Sequence, residues 1–573
     1  MTQFKGIILG SLLLAACTQT PVRPEAEKPS GHAAPQEEST AALPNLELNN
    51  ELLFQYLISE IASQRGESEL AAEASAELAK KTRDPRLAAR AAQLALQSGQ
   101  MDKAVEAIKA WREIEPESPI ATRALSAVLL RSGRLDEARQ ETIIALREKD
   151  ADAGQIIYHT YQVLASYPDN AAALKFMRDL AQQFPQVAEA HWAVAQLAVA
   201  SGDEELALNE AKLARSLRGD WDMAVSLEAL LLKNKAPQQG LELLRAYLAK
   251  YPEAGEIRLQ YARALLEEKL FKQARDEFRR LADEAPDNPE MAFAIALISL
   301  QLNDLQSAET QLKQALSKGK KDQETVQYYL GQLSEAKNNE EEALERYRKV
   351  NGGEHQFAAQ IRIVYLLNKR GQPAEARQQL HQMKPADDQQ RAQLALIEAQ
   401  LLRTAKQHAE AYRLLRENLE KQPTHPDLLY ETGMAADLNG EHAEFERLIR
   451  KLIQIKPDHA HAYNALGYSF LERNERLAEG MELVKKALQL DPEDPAIMDS
   501  VGWGYYRSGN LDESLKMLRR AFAIIPDPEI AAHLGEVLWQ RGDKEEAKKI
   551  WRESLKANQE SAPLQAVMKR FMP

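Results

Sequence analysis

The sequence predicts an all-α fold, a solenoid of stacked helix pairs, on three observations. The first is a period of about 34 residues, running from Pro85 to the C-terminus, with landmarks that keep phase. Gly99, Ala104 and Pro116 return as Lys269, Ala274 and Pro286, then as Gly440, Phe445 and Pro457, then as Gly509, Ser514 and Pro526. The second is composition: Ala, Leu, Glu, Gln, Arg and Lys dominate, all good helix formers, and aromatics are held to 6%. The third is that no internal stretch approaches the roughly 18 consecutive apolar residues of a membrane span. A helix pair of this length cannot bury its apolar face alone, so the pairs must stack.

The N-terminus stands apart from the array. Residues 1–17 read MTQFKGIILGSLLLAAC, in which Lys5 is a short basic region and Gly6 to Leu14 an apolar core too short to span. This reads as a secretory signal over residues 1–16, removed before folding. The ending Leu14-Ala15-Ala16-Cys17 resembles the bacterial lipobox, whose cysteine is diacylated on sulfur and acylated again on nitrogen after cleavage. Cys17 is the single cysteine of the chain, which excludes an intramolecular disulfide framework. Several acyl chains, at about 0.8 kcal/mol per buried methylene, hold a protein on a membrane where one would not. Thr18, rather than Asp, follows the cysteine, and by the same resemblance this implies the inner leaflet of an outer membrane. Residues 17–45 then form the lipidated cysteine and a Pro-rich tether, with Pro21, Pro24, Pro29, Pro35 and Pro44 among polar residues and nothing to bury. A flexible chain of this length spans roughly 30 Å.

Residues 46–84 read as an irregular helical pair and 85–350 as an N-terminal array. Residues 351–391, with Asn351-Gly352-Gly353 and the lost terminal prolines, read as an irregular helical junction, and 392–573 as a C-terminal array. The clearest block is 460–492. Ala460, Tyr463, Leu466, Gly467 and Phe470 occupy its first helix, Asn474 its turn, and Val484, Ala487 and Pro492 its second helix and end. Met498, Val501, Gly502, Tyr505, Gly509, Ser514, Leu518, Ala521 and Pro526 repeat the pattern. It returns in Ala531, Leu534, Gly535, Leu538, Gly542, Ala547 and Trp551.

These residues resemble the tetratricopeptide repeat. In that family a small eighth residue lets two helices approach, apolar fourth, seventh and eleventh residues fill the space between them, and Pro stops the second helix. The resemblance implies a right-handed superhelical solenoid. It places repeat starts near 85, 119, 154, 188, 221, 255, 289, 324, 357, 392, 426, 460, 495 and 528. One extra residue around Arg476-Leu477-Ala478 lengthens a turn.

Chemistry is sparse. There is no Gly-rich phosphate loop, no H-E-x-x-H and no paired-Cys metal spacing. His459 and His461, two apart, cannot share a helix face, and Gly502-Trp503-Gly504 falls mid-helix, where its glycines serve close packing. Glu340-Glu341-Glu342 and Lys318 to Lys321 read as solvated turns and helix ends. No His–carboxylate constellation is visible in register, so neither a catalytic residue nor a metal ligand nor a cofactor is expected. The formal net charge of −13 argues against nucleic acid as a general partner.

What remains is a protein-binding face. In tetratricopeptide repeats, positions 2, 5, 9, 12 and 13 of the first helix line the groove. Carried onto this sequence they give Tyr430, Met434 and Asp437, then His461, Asn464, Tyr468 and Glu472. The next helices give Asp499, Trp503, Tyr506 and Arg507, then Glu536 and Trp539. Tyr, Trp and Arg are the side chains that carry most interface energy. With its lipobox, tether and array, the chain resembles outer-membrane lipoproteins that bind a periplasmic carboxyl-terminal processing protease and deliver cell-wall hydrolases to it. An assembly or pilot lipoprotein of a secretion, pilus or outer-membrane machine is the alternative. Both resemblances imply a periplasmic location and attachment to the membrane through a lipid anchor; the first implies a soluble periplasmic protease and hydrolases as partners, the second membrane-embedded channel subunits.

Overall fold

The computed structural model describes residue 44, residues 46–148 and residues 151–572. The signal segment, Cys17 and all of the tether except Pro44 lie outside the described residues. Among the described residues there are 31 helices and no strand, as the all-α reading requires. They form fifteen consecutive pairs, from Asn50–Gln64 with Ser68–Thr82 to Pro528–Arg541 with Lys544–Ala557, followed by the closing helix Ala562–Phe571. Every repeat start placed from the sequence falls within one residue of a helix start except that near 392, where the helix begins four residues earlier at Asp388.

Local chemistry explains where the first helices begin. Asp84, Ser118, Asn288, Asp494 and Asp527 each cap a helix with a side-chain oxygen, and Pro85, Pro119, Pro289, Pro495 and Pro528 follow them. A capping oxygen satisfies one of the free amides of the first turn, and Pro there has no amide to leave unpaired. Between the two helices of a pair, Gly99, Gly440 and Gly509 take φ near +80° and let the chain reverse. Lys269 and Asn474 do the same at positions where Gly is absent. The extra residue of the 460 block is absorbed by Arg476, itself left-handed at φ 41°, and helix Leu477–Leu490 starts immediately after it.

The chain divides into two compact units, residues 1–326 and 327–573. In the first, small residues such as Ala91, Ala104, Ala193 and Ala211 are fully buried beside Leu125, Leu129, Ile157 and Met177. In the second, Phe445, Leu448, Leu466 and Phe470 fill one stretch of core, and Leu518, Leu538 and Trp551 another. Residues 351–391 contain the helix pair Gln356–Lys369 and Pro373–Gln382, so the irregular backbone there is confined to the loops at 349–355 and 383–387. Ile363, Leu367, Ala376 and Leu380 bury this pair as elsewhere in the array.

One turn departs from the sequence reading. Lys320 is not a solvated lysine. It is buried, its ammonium bonds both oxygens of Glu290 at 2.9 Å, and it lies 4.9 Å from the centre of the Phe293 ring. Glu340 and Glu341 do sit at a helix start, where they pair with Lys369 and Arg370.

Candidate protein-binding face of the second unit

The first helices Ala460–Glu472, Pro495–Arg507 and Pro528–Arg541 and the closing helix Ala562–Phe571 touch one another in sequence. Close approach between a first helix and its second comes from glycine at the eighth position. A Cβ on Gly467 would stand 2.8 Å from the Gly480 carbonyl oxygen, and one on Gly502 2.7 Å from Leu518 Cγ. Gly504 likewise faces Leu471 and Met481. The glycines flanking Trp503 therefore do packing work, as the sequence register implied.

Seven of the residues selected from the sequence fall in two groups. Tyr468, Asp499, Trp503, Tyr506, Arg507 and Glu536 form one group, through a residue that sequence reasoning missed. His533 donates its Nδ1–H to the Asp499 carboxylate, whose two oxygens lie at 2.9 and 3.0 Å, and its ring stacks on Trp503 with centroids 4.1 Å apart. Tyr468 lies 6.2 Å from the same imidazole and donates its hydroxyl to Glu529 at 3.0 Å. Tyr506 lies 4.9 Å from Trp503 and donates to Glu536 at 3.0 Å. Arg570, from the closing helix, pairs with Glu536 at 3.2 Å. Trp539 belongs to the second group, packed on Trp551 and Phe571 with Lys544 and Lys548 over its ring.

The remaining selections lie on helix Ala460–Glu472 beside Tyr468 or on the preceding first helix, Pro426–Leu438. Tyr430 stacks on His459 at 5.5 Å, and His459 caps its helix by accepting from the Ala462 amide at Nδ1. Asn464 is half-buried, and its Oδ1 has no hydrogen-bond partner in the protein. His461 is exposed, Glu472 is exposed, and Asp437 pairs with His442 at 2.7 Å.

Burial grades these side chains. Asp499, Trp503 and Glu536 are each 7% exposed or less, whereas Tyr430, Tyr468, Tyr506 and Arg507 keep part of their surface in solvent. Burial alone would lower the His533 pKa, but the Asp499 charge and hydrogen bond outweigh it and raise it above 6.5. Burial, then the Glu536 carboxylate, pushes the Tyr506 hydroxyl up to about 12. Burial also raises Tyr468 and Tyr430, so all three phenols are neutral donors at physiological pH.

Two donors remain unused. Arg507 has no ion-pair partner among the described residues, its Nε is buried without an acceptor, and its guanidinium carbon lies 5.9 Å from the Trp503 ring centre. Trp503 Nε1 is buried without an acceptor as well. The face can therefore offer half-buried phenols, a free guanidinium and the Asn464 amide to another molecule. The Asp499–His533 pair is a His–carboxylate constellation that sequence reasoning did not expect. Among the described residues no hydroxyl or thiol nucleophile bonds that imidazole, and no group of acidic, His and Cys side chains could hold a metal. A signal existed: Asp499 and His533 are 34 residues apart, one period, on adjacent first helices.

Comparison with known proteins agrees with the repeat. Tetratricopeptide repeat families match residues 89–153, 231–298, 328–356, 442–495 and 528–561. A TPR repeat-containing protein of Pseudomonas aeruginosa is 31% identical over 490 residues, covering 84% of this chain and 82% of its own. One from Dictyostelium discoideum is 29% identical over 111 residues, 18% of this chain and 42% of its own. Among solved structures, a chain of the APC/C Cut9–Hcn1 hetero-tetramer overlaps 85% of this chain and 97% of itself, at 13% identity and a TM-score of 0.32. A TPR protein of Thermus thermophilus overlaps 30% of this chain and 95% of itself, at 21% identity and a TM-score of 0.29. Among the described residues no helix is long and apolar enough to cross a membrane.

Proposed function

The chain belongs to the tetratricopeptide repeat family, whose repeats mediate protein–protein contact, and from that premise we propose that it is a non-catalytic adaptor lipoprotein. In this reading Cys17 carries the acyl chains that hold it to the periplasmic face of an outer membrane. Its array couples a periplasmic processing protease to cell-wall hydrolase substrates. The observation that carries the reading is the face around Tyr468, Trp503, Tyr506 and Arg507, where two partly exposed phenols flank the Trp503–His533 stack and the guanidinium of Arg507, without an ion pair, lies 5.9 Å from the Trp503 ring. Side chains of these kinds anchor interfaces when a partner desolvates them. The mechanism is proximity. Two proteins held on one array meet at an effective concentration set by the array, with no catalytic group required of it.

The test is reconstitution. The purified chain, the processing protease and a hydrolase are mixed, and cleavage is followed with time. Acceleration by the wild-type chain, lost in a Tyr468→Ala, Tyr506→Ala, Arg507→Ala variant, supports the proposal; no acceleration by the wild type refutes it. Anchoring is tested separately, by palmitate labelling and membrane fractionation of wild type and Cys17→Ser.

A further inference from the structure

A run of exposed apolar side chains lies in the first unit, far along the sequence from the face described above. In helix Asn50–Gln64, Ser59 and Ala62 are buried, and the Ser59 hydroxyl bonds that of Ser75 at 2.5 Å, so this side packs on helix Ser68–Thr82. Leu53, Phe54, Leu57 and Ile61 lie on the opposite side of the same helix. These four, with Tyr56 and Leu70, are between 41% and 64% exposed. Scattered exposed apolar residues are ordinary, but a contiguous stripe of this kind marks a binding surface.

Repetition indicates what shape fits the stripe. Elsewhere in the unit the corresponding side of a first helix is covered by the second helix of the preceding pair: Ser68–Thr82 covers Pro85–Gln97, and Met101–Ile114 covers Pro119–Arg131. No described helix covers the side bearing Leu53, Phe54, Leu57 and Ile61. A helix from another molecule, with apolar residues at i, i+3, i+4 and i+7, would take the place a preceding pair occupies.

Charge selects the kind of helix. Glu47, Glu60 and Glu67 have no ion-pair partner among the described residues, and Glu51 is answered only by Lys81 at 2.6 Å. Arg65 is the one unpaired cation among the described residues 46–82. A second copy of this chain would bring these glutamates against their own kind, and anionic headgroups would be repelled in the same way. We propose that this stripe is a second docking surface, and that its occupant is an amphipathic helix of another protein with Lys or Arg on both flanks of its apolar stripe.

The probe is a fluorescent helical peptide about 18 residues long, with leucines at that spacing and Lys/Arg flanks, titrated into the full chain by anisotropy. A second peptide carries the same leucines with Glu flanks. Saturable binding is expected for the basic peptide, at least tenfold weaker for the acidic one, and at least tenfold weaker for a Phe54→Ser, Leu57→Glu chain. Far-UV circular dichroism checks that this variant keeps its helices. Leu230→Ser, an exposed apolar residue elsewhere in the unit, should leave binding unchanged. Equal binding of the two peptides, no binding, or full retention by the double variant overturns the proposal. So does a dimer in sedimentation that the double variant dissociates, co-sedimentation with phosphatidylglycerol vesicles that it abolishes, or peptide binding that appears only after residues 1–43 are removed.

Discussion

The small eighth residue of each repeat can be tested by adding one methyl group. At Gly535 a Cβ would overlap the Trp551 indole at Nε1, Cε2 and Cδ1, the last at 2.7 Å, where carbon atoms ordinarily meet at about 3.5–4.0 Å. Trp551 is fully buried, its Nε1 donates to the Ala532 carbonyl at 3.3 Å, and Trp539 and Phe571 stack against it, so the ring has nowhere to go. Overpacking of this kind costs about 1–3 kcal/mol and more where the neighbour is rigid. Breaking the indole hydrogen bond adds about 1 kcal/mol, and the better helix propensity of Ala returns about 1 kcal/mol. Gly535→Ala should therefore lose about 3 kcal/mol. At Gly433 the neighbour is the Ile449 Cδ1 methyl at 2.9 Å, the far end of a flexible side chain. There the propensity gain cancels most of the clash, so Gly433→Ala should be close to neutral. Long arrays open locally, so the assay is hydrogen exchange resolved by peptide rather than a single unfolding midpoint. Amides of 528–557 should exchange about a hundredfold faster in Gly535→Ala, with little change at 426–455 in Gly433→Ala. Equal effects, or the reverse order, would refute the reasoning.

The other perturbations act on charge. Because the folded pKa of His533 is raised, its pairing with Asp499 contributes stability that is complete below pH 6.5 and is lost as pH rises through the folded value. Exchange in 495–541 should accelerate as pH rises above 6.5, after correction for the intrinsic rate, and His533→Asn should flatten that slope; a slope retained in the variant would assign it to other groups. Glu446 is held at about 2 by hydrogen bonds from Arg476 and Arg450 despite some burial. Its pairing therefore stabilises above about pH 4.5 and fails as pH falls toward 2. Both arginine side chains are more than a third exposed, so Glu446→Gln should cost less than about 1 kcal/mol at neutral pH, read as less than a tenfold rise in exchange across 442–455. Lys320→Met should be tolerated less well than an exposed lysine change, because it strands Glu290, and its cost should appear as faster exchange across 289–317.

The regularity that made the fold legible also set the limit on reading the face. A period near 34 fixes which residue of each helix is eighth, and so Gly467, Gly502 and Gly535 could be placed against their second helices from sequence alone. The same register names residues that point toward the groove side, but it does not say how far each one sinks. Trp503 sinks because His533 stacks on it and Asp499 holds His533. That dependence runs between adjacent repeats, whereas the register describes one repeat at a time. Lys320 failed in the same way: as one of a lysine run it reads as solvated, and only Glu290 and Phe293, about thirty residues earlier, explain its burial.

A consequence follows for how partner-binding variants should be read. Through their hydroxyls Tyr506 bonds a carboxylate of the next first helix and Tyr468 one of the first helix beyond that, while their rings remain partly in solvent. Replacing Tyr by Phe removes the cross-helix bond and keeps the ring; replacing it by Ala removes both. If the rings anchor a partner, Phe should bind nearly as well as Tyr, and Ala should not. If the hydroxyls merely hold helices Ala460–Glu472 and Pro495–Arg507 against Pro528–Arg541, Phe and Ala should weaken binding together and exchange across 460–541 should rise with both. Trp503 permits no such separation, since its stacking on His533 and its unused Nε1 belong to one buried ring. Arg507 does: with no ion pair to break, Arg507→Gln should leave local exchange unchanged, so any loss of binding it causes belongs to the partner rather than to the fold.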